Sequence, residues 1–243
     1  AVLKNKYFWI AMVLGALTLF VNANAIAAQI YYCNVVLSDP MYMTTLMSFG
    51  QAPGIIMLFF MPYFSNKFSK RKFMSFGCVL MILGFGCIGL AGMNKSMLLI
   101  GTILRSVGIG PMFAGLYAFC ADAADYGEWK YGIRSEGLMA SSQSIGSKIG
   151  IGFGSACTAW ILAAAGYVQP AMPMDGPAMD GPIGSALPVI PQPEGVVSAI
   201  RFDYGWLGAI ISVVLLIGVL MMDVEKYLPE IRATLGDRKP EMH

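Results

Sequence analysis

Lys148 is the residue that packing explains least. It lies twelve residues past Glu136 in a run, 137–165, that holds no other charge. In a helix rising ~1.5 Å per residue that is roughly 18 Å, too deep for easy escape to either interface. A charge near the bilayer centre costs about 2.5–3.5 kcal/mol on insertion scales, so it asks for a partner or a water-filled cavity. At helical spacing Lys148 shares a face with Ser141 and Ser144, and with Ser155 further along. Such a polar stripe lines water, a substrate or a facing polar helix. A purely structural pairing of the lysine is the alternative.

Arg105 is the second cation inside an apolar run. It suits a snorkelling anchor as well as a functional group, because a long side chain covers part of the distance to the interface. Asn22, Asn24 and Gln29, with Tyr31 and Tyr32 beyond them, add amides and phenols to the first run. These suit sugar hydroxyls, and they equally suit hydrogen bonds between helices, which is the reading packing favours.

The stretch Asp122-Ala-Ala-Asp-Tyr-Gly-Glu-Trp-Lys-Tyr-Gly-Ile-Arg-Ser-Glu136 carries most of the remaining charge. Read as a loop, it puts Asp122 and Asp125 at the carbonyl end of a helix, where the macrodipole disfavours anions. Lys130, Arg134 and the basic segment 65–72 are the candidates to stabilise them. Ser135 and Glu136 suit the cap of the next helix.

Other chemistry is absent or illusory. Gly84-Phe-Gly-Cys-Ile-Gly89 spells a dinucleotide fingerprint, but it sits mid-way along an apolar run with no strand before it. The sequon at Asn94–Ser96 falls in a very short hairpin. Asp175 and Asp180 repeat within a Pro-rich loop and make a weak ion site. Five cysteines without a CxxC pair, and one histidine (His243), argue against disulfide scaffolds, zinc and nucleophilic catalysis.

The elements that position these residues follow from hydropathy. Of 243 residues, 57% are hydrophobic and 12% charged, which leaves too little polar surface for a soluble enzyme. A net charge of +2 gives no basis for nucleic-acid binding. A membrane helix needs about 20 apolar residues. Six runs qualify, at about 7–32, 41–65, 73–93, 96–121, 136–165 and 203–222. The predicted fold is an all-α membrane protein with a six-helix bundle over 1–222. A flexible external loop spans 168–199 and holds seven of the thirteen prolines, and a tail spans 223–243. Gly146, Gly150 and Gly154 recur every fourth residue and offer a smooth face to a neighbouring helix. Twelve of the sixteen basic residues fall on one side of the runs and two on the other. Both termini and the segments 65–72 and 122–135 are therefore expected in the cytoplasm.

The run Ala121 to Gly137 resembles the loop signature after helix ten of the glycoside–pentoside–hexuronide:cation symporters, within the major facilitator superfamily. Ser141 to Gly154 is similar to that family's eleventh helix, and Asn66 to Lys72 resembles its basic loop between helices eight and nine. The resemblance covers the chain as helices seven to twelve. It implies a sugar or glycoside carrier in the cell membrane, driven by H+ or Na+ and working by alternating access, with no cofactor. The matching lysine is Lys148, expected at the sugar cavity with Ser144, Ser141, Phe113, Tyr117 and Asn22. Phe113 stands where a helix-ten tryptophan is familiar. Asp122, Asp125, Glu128 and Arg134 are expected to form a cytoplasmic gate with the segment 65–72. The coupling site is expected mainly in an amino-terminal six-helix half, the partner the chain would need. A related carrier of lysophospholipid and a non-transporting membrane scaffold are the alternatives.

Overall fold

The computed structural model describes residues 6–57, 59, 69–132, 136–169 and 192–222, and every ordered element among them is helical. Helix α1, Lys6–Tyr31, runs on into a π-helical turn at Tyr32–Val36. The second run is broken from its start. A single turn, α2 (Tyr42–Thr45), leads to a π turn at Leu46–Gly50 and then to helical residues 51–57. Of its predicted remainder, 58 and 60–65 lie outside the described residues. Helix α3 covers Lys70–Ala91, α4 Lys95–Tyr131 and α5 Glu136–Ala164. The last span is α6 (Glu194–Arg201), a π turn at Phe202–Leu207, and α7 (Gly208–Leu220). Among the described residues, five segments are long and apolar enough to cross a membrane: Lys6–Val36, Lys70–Ala91, Lys95–Lys130, Gly137–Ala164 and Glu194–Leu220.

Two predicted boundaries need correction. The segment 122–135 is not a loop, because α4 continues through it to Tyr131. Charge ends an apolar run without ending a helix. Ala121, Ala123, Ala124, Glu128 and Lys130 are all good helix formers. Gly132 stops α4 in the left-handed conformation at φ 70°, its N–H bonded to the Glu128 carbonyl. At ~1.5 Å per residue the 37-residue α4 is far longer than the roughly 30 Å hydrocarbon layer, so one end projects beyond it. Asp122 and Asp125 therefore sit inside a helix, not at its carbonyl end. The Pro-rich loop is also shorter than predicted. Pro193 holds the N-cap and α6 starts at Glu194, inside 168–199, where no later proline bars a helix and Glu194 complements the first-turn dipole.

Glycines set the closest contacts. A Cβ on Gly146, Gly150 or Gly154 of α5 would run into the backbone carbonyls of Met12, Ala16 and Phe20 on α1. Gly77 and Gly84 of α3 meet the backbone of α4 at Gly108 and Gly101 in the same way. Gly205 packs on the backbone of Gly89, and Gly208 on the Phe85 ring, which docks the last span on α3. Without a hydrophobic drive between helices in lipid, this close van der Waals contact holds the bundle together. Its outer surface carries Trp9, Phe76, Leu83, Leu90, Ile210, Val213 and Ile217 exposed. A patch of that kind is at home in hydrocarbon and a liability in water.

The two ends differ. At the hairpin end, the Asn94 side chain accepts from the Met97 N–H at 3.2 Å and caps α4. There the Tyr32 hydroxyl donates to the Gly92 carbonyl at 2.6 Å, and Lys95 meets Asp39 at 2.5 Å. At the opposite, basic end, Lys70 opens α3 with its ammonium 2.7 Å from Asp122 Oδ2, and the Arg71 guanidinium donates to the Leu220 carbonyl.

Candidate functional site

A cavity of about 660 Å³ opens between α1, α4 and α5 towards the basic end. Its walls come from helical repetition. Tyr117, Cys120, Ala121 and Ala124 recur three and four apart on α4, as do Met139, Ala140, Gln143, Ser144 and Ser147 on α5. Leu19 of α1 completes the lining. The surface is mostly apolar with a few convergent polar groups, the usual make-up of a small-molecule site of this size. Those groups are the Tyr117 phenol, the Gln143 amide and the hydroxyls of Ser144 and Ser147. The Gln143 Oε1 accepts from Cys120 Sγ at 3.5 Å, and among the described residues no charged side chain lines the space.

Of the six predicted cavity residues, Tyr117 and Ser144 line this space. Ser141 and Lys148 lie outside the lining, exposed along the adjoining strip of α5, together with Ser155. Ser141 and Ser155 donate to their own helix, to the carbonyls of Gly137 and Ile151. Phe113 is half-buried one turn along α4 from Tyr117, and Asn22 is half-buried on α1. Gln143, Ser147 and Cys120 are the lining residues that the residue types alone did not single out. The available signal was positional, since Gln143 and Ser147 repeat four apart beside Ser144.

At the basic end, Lys70 reaches both oxygens of Asp122, at 2.9 and 2.7 Å. The Asp122 side chain is 10% exposed and that of Lys70 29%. This pairing answers the question of what stabilises Asp122, with the amino terminus of α3 as the partner. Asp125 and Glu128 are half-buried on the projecting part of α4. Arg134, the rest of the predicted gate and the first residues of the segment 65–72 lie outside the described residues.

A second polar cluster lies towards the hairpin end, away from the cavity. Arg105 is 1% exposed, which rules out the snorkelling anchor. Its guanidinium lies over the Phe85 ring at 5.7 Å, with no hydrogen-bond partner at Nε or Nη2 among the described residues. The Tyr204 hydroxyl donates to Gln29 Oε1 at 3.3 Å and lies 3.3 Å from Thr102 Oγ1. The Asn24 amide donates to Thr158 Oγ1 at 2.9 Å and to Asp203 Oδ1 at 2.8 Å. Asn24 and Gln29 thus serve helix–helix bonding. Asp203, fully buried here, was invisible as a member because it stood at the edge of an apolar run. Among the described residues, no group of three His, Cys, Asp or Glu side chains is placed to hold a metal.

The profile of the family described as MFS/sugar transport protein matches residues 1–226. The chain is 30% identical over 203 residues to an isoprimeverose transporter of Lactiplantibacillus pentosus, covering 82% of this chain and 38% of the relative. It is 26% identical over 169 residues to a glucuronide carrier protein homolog of Escherichia coli K12, covering 68% and 37%. It is 26% identical over 149 residues to a lactose permease of Lactobacillus delbrueckii subsp. bulgaricus, covering 60% and 23%. The chain thus spans well under half the length of each of these relatives. All three are named as transporters or carriers rather than enzymes.

Proposed function

The chain belongs to the MFS/sugar transport protein family, a family of multi-pass membrane carriers, and on that footing we propose that it is the six-helix portion of a carrier moving a sugar or glycoside together with H+ or Na+ by alternating access. The observation that carries the reading is the cavity between α1, α4 and α5, with its phenol, amide and two hydroxyls on an apolar wall. A sugar presents hydroxyls in many directions together with apolar ring faces, and this mixture meets both. The names isoprimeverose transporter, lactose permease and glucuronide carrier support a neutral or weakly acidic glycoside.

Lys148 supports the need for a companion. An ammonium exposed halfway along a membrane helix cannot face hydrocarbon cheaply. A second six-helix half, covering that strip, would turn it into the wall of a shared central cavity and bring the coupling cation's site. The basic end is then cytoplasmic, in the cell membrane, by the charge asymmetry of the connecting segments. Lys70 and Asp122 hold the cytoplasmic ends of α3 and α4 together, as part of the inner gate.

The test is uptake in the complete carrier that contains this chain. Wild type should take up a labelled glycoside, inhibited by related glycosides. Lys148→Ala should abolish concentrative uptake while protein levels in the membrane stay constant. Wild-type uptake by Lys148→Ala would remove the lysine from the cavity. A panel of glycosides, pentosides and hexuronides that is ignored while lysophospholipid is moved would end the sugar reading.

A further inference from the structure

We propose that Asp203 is a proton-binding site of this bundle, separate from the sugar cavity and reached from the hairpin end. The proposal rests on the reading of the chain as part of a cation-coupled carrier, and it adds a site within this half. Asp203 is 1% exposed, in the π turn that joins α6 to α7. Its neighbour Gly205 packs on Gly89 and Gly208 on Phe85, which sets the backbone of this turn against the last two turns of α3, towards the hairpin end. Such π turns are frequent at functional positions.

The groups around it come from every packed element. From α1, Asn24 donates to Oδ1 at 2.8 Å. From α5, Thr158 is 2% exposed, and its oxygen accepts from the same amide at 2.9 Å. The Cys157 thiol is the neighbour of Thr158 on α5. On its own segment the carboxyl has Tyr204 beside it and Arg201, which packs against Gly92 at the hairpin. On α4, Thr102 lies 3.3 Å from the Tyr204 hydroxyl, and Arg105 is three residues further along the same helix. Helix α3 carries no charge between Phe73 and Ala91, only the thiols Cys78 and Cys87.

Among the described residues, no cation forms an ion pair with Asp203. A carboxylate sealed this way is held by neutral donors alone, and an unpaired buried charge is costly. One proton from water, bound at a carboxylate oxygen, removes that charge and breaks no other bond. The network accepts either state. Because Thr158 already takes a bond from Asn24, its own hydroxyl hydrogen can point at the carboxylate. Once Asp203 is protonated, the same oxygen can accept from the new O–H.

The full chain, reconstituted in lipid vesicles, should be examined by infrared difference spectroscopy between mildly alkaline and mildly acidic pH. A protonated-carboxyl stretch should appear on acidification, vanish in Asp203→Asn, and change frequency in Thr158→Val, which keeps the carboxyl but deletes one partner. Identical spectra for wild type and Asp203→Asn would overturn the proposal. If Asp203→Asn fails to fold, a band unmoved by Thr158→Val overturns it equally. Loss of glycoside uptake as a property of the complete carrier would sink the transport reading and leave this band untouched.

Discussion

Arg105 and Lys148 are both cations set within apolar helices, and the bundle treats them in opposite ways. Arg105 is enclosed, because Gly84 lets α3 lie against the α4 backbone at that level and Phe85 covers the guanidinium. Lys148 is left exposed on a helix whose opposite side is tightly sealed. At about 100° per residue, Lys148 lies roughly 160° round the helix from both Gly146 and Gly150 and so points almost directly away from each. The glycines of α5 commit one face to α1 and so free the other for a partner. A charge at membrane depth is therefore judged by which side of its helix the small residues occupy, more than by its depth.

The sharpest way to break that contrast is to fill the sealed face. Gly150→Val sets a branched side chain against the Ala16 backbone, whereas Gly152→Val on the same helix meets nothing within 4 Å. Gly150→Val should yield no monodisperse protein on size-exclusion chromatography in detergent, while Gly152→Val elutes as wild type. Equal recovery of the two would mean that α5 has no committed face.

Of intermediate size is the pair at the basic end, where the Lys70 ammonium meets a buried carboxylate. Lys70→Ala leaves Asp122, only 7% exposed, without its ammonium. The expected cost is about 1–3 kcal/mol, the scale of losing a hydrogen bond between charged groups. It is read as a lowered thermal midpoint in detergent, and Lys70→Arg should recover most of it. An unchanged midpoint in Lys70→Ala would show that other groups carry Asp122.

The smallest effect belongs to the exposed pair at the hairpin end. The Lys95 ammonium, hydrogen-bonded to Asp39, holds that carboxyl below the usual carboxylate range. Its contribution to stability is therefore present above the ordinary carboxylate value and fades as pH falls through the lowered one. Acidification should lower the thermal midpoint slightly more in wild type than in Asp39→Asn, and added salt should erase the difference by screening. A larger acid loss in the variant would reverse the assignment.

Several features were legible from residue order because they follow from local chemistry. Apolar runs between charges located the five spans seen among the described residues, and the Gly146, Gly150, Gly154 repeat marked a packing face. The charge at Asp122 mimics a helix end, whereas the signal that ends α4 is Gly132. The start of α6 was missed for a related reason, since a proline-rich stretch stops being a loop at its last proline. Tyr117 and Ser144 could be proposed for the cavity from their types. Gln143 and Cys120 could not, because an amide and a thiol in an apolar helix look the same whether they face a neighbour or a void.

The sequence by itself determined that the chain crosses a membrane as helices, which face of α5 is smooth, and which charges are too deep to be incidental. Each of these depends on a sum or a spacing along one strand of chain. Tertiary structure alone decided that Arg105 is enclosed and Lys148 is not, that Asp122 pairs with Lys70, and that Asn24, Thr158 and Asp203 meet. Those outcomes depend on three or four helices arriving at one point, and the distance between side chains on different helices is set by how closely their backbones pack.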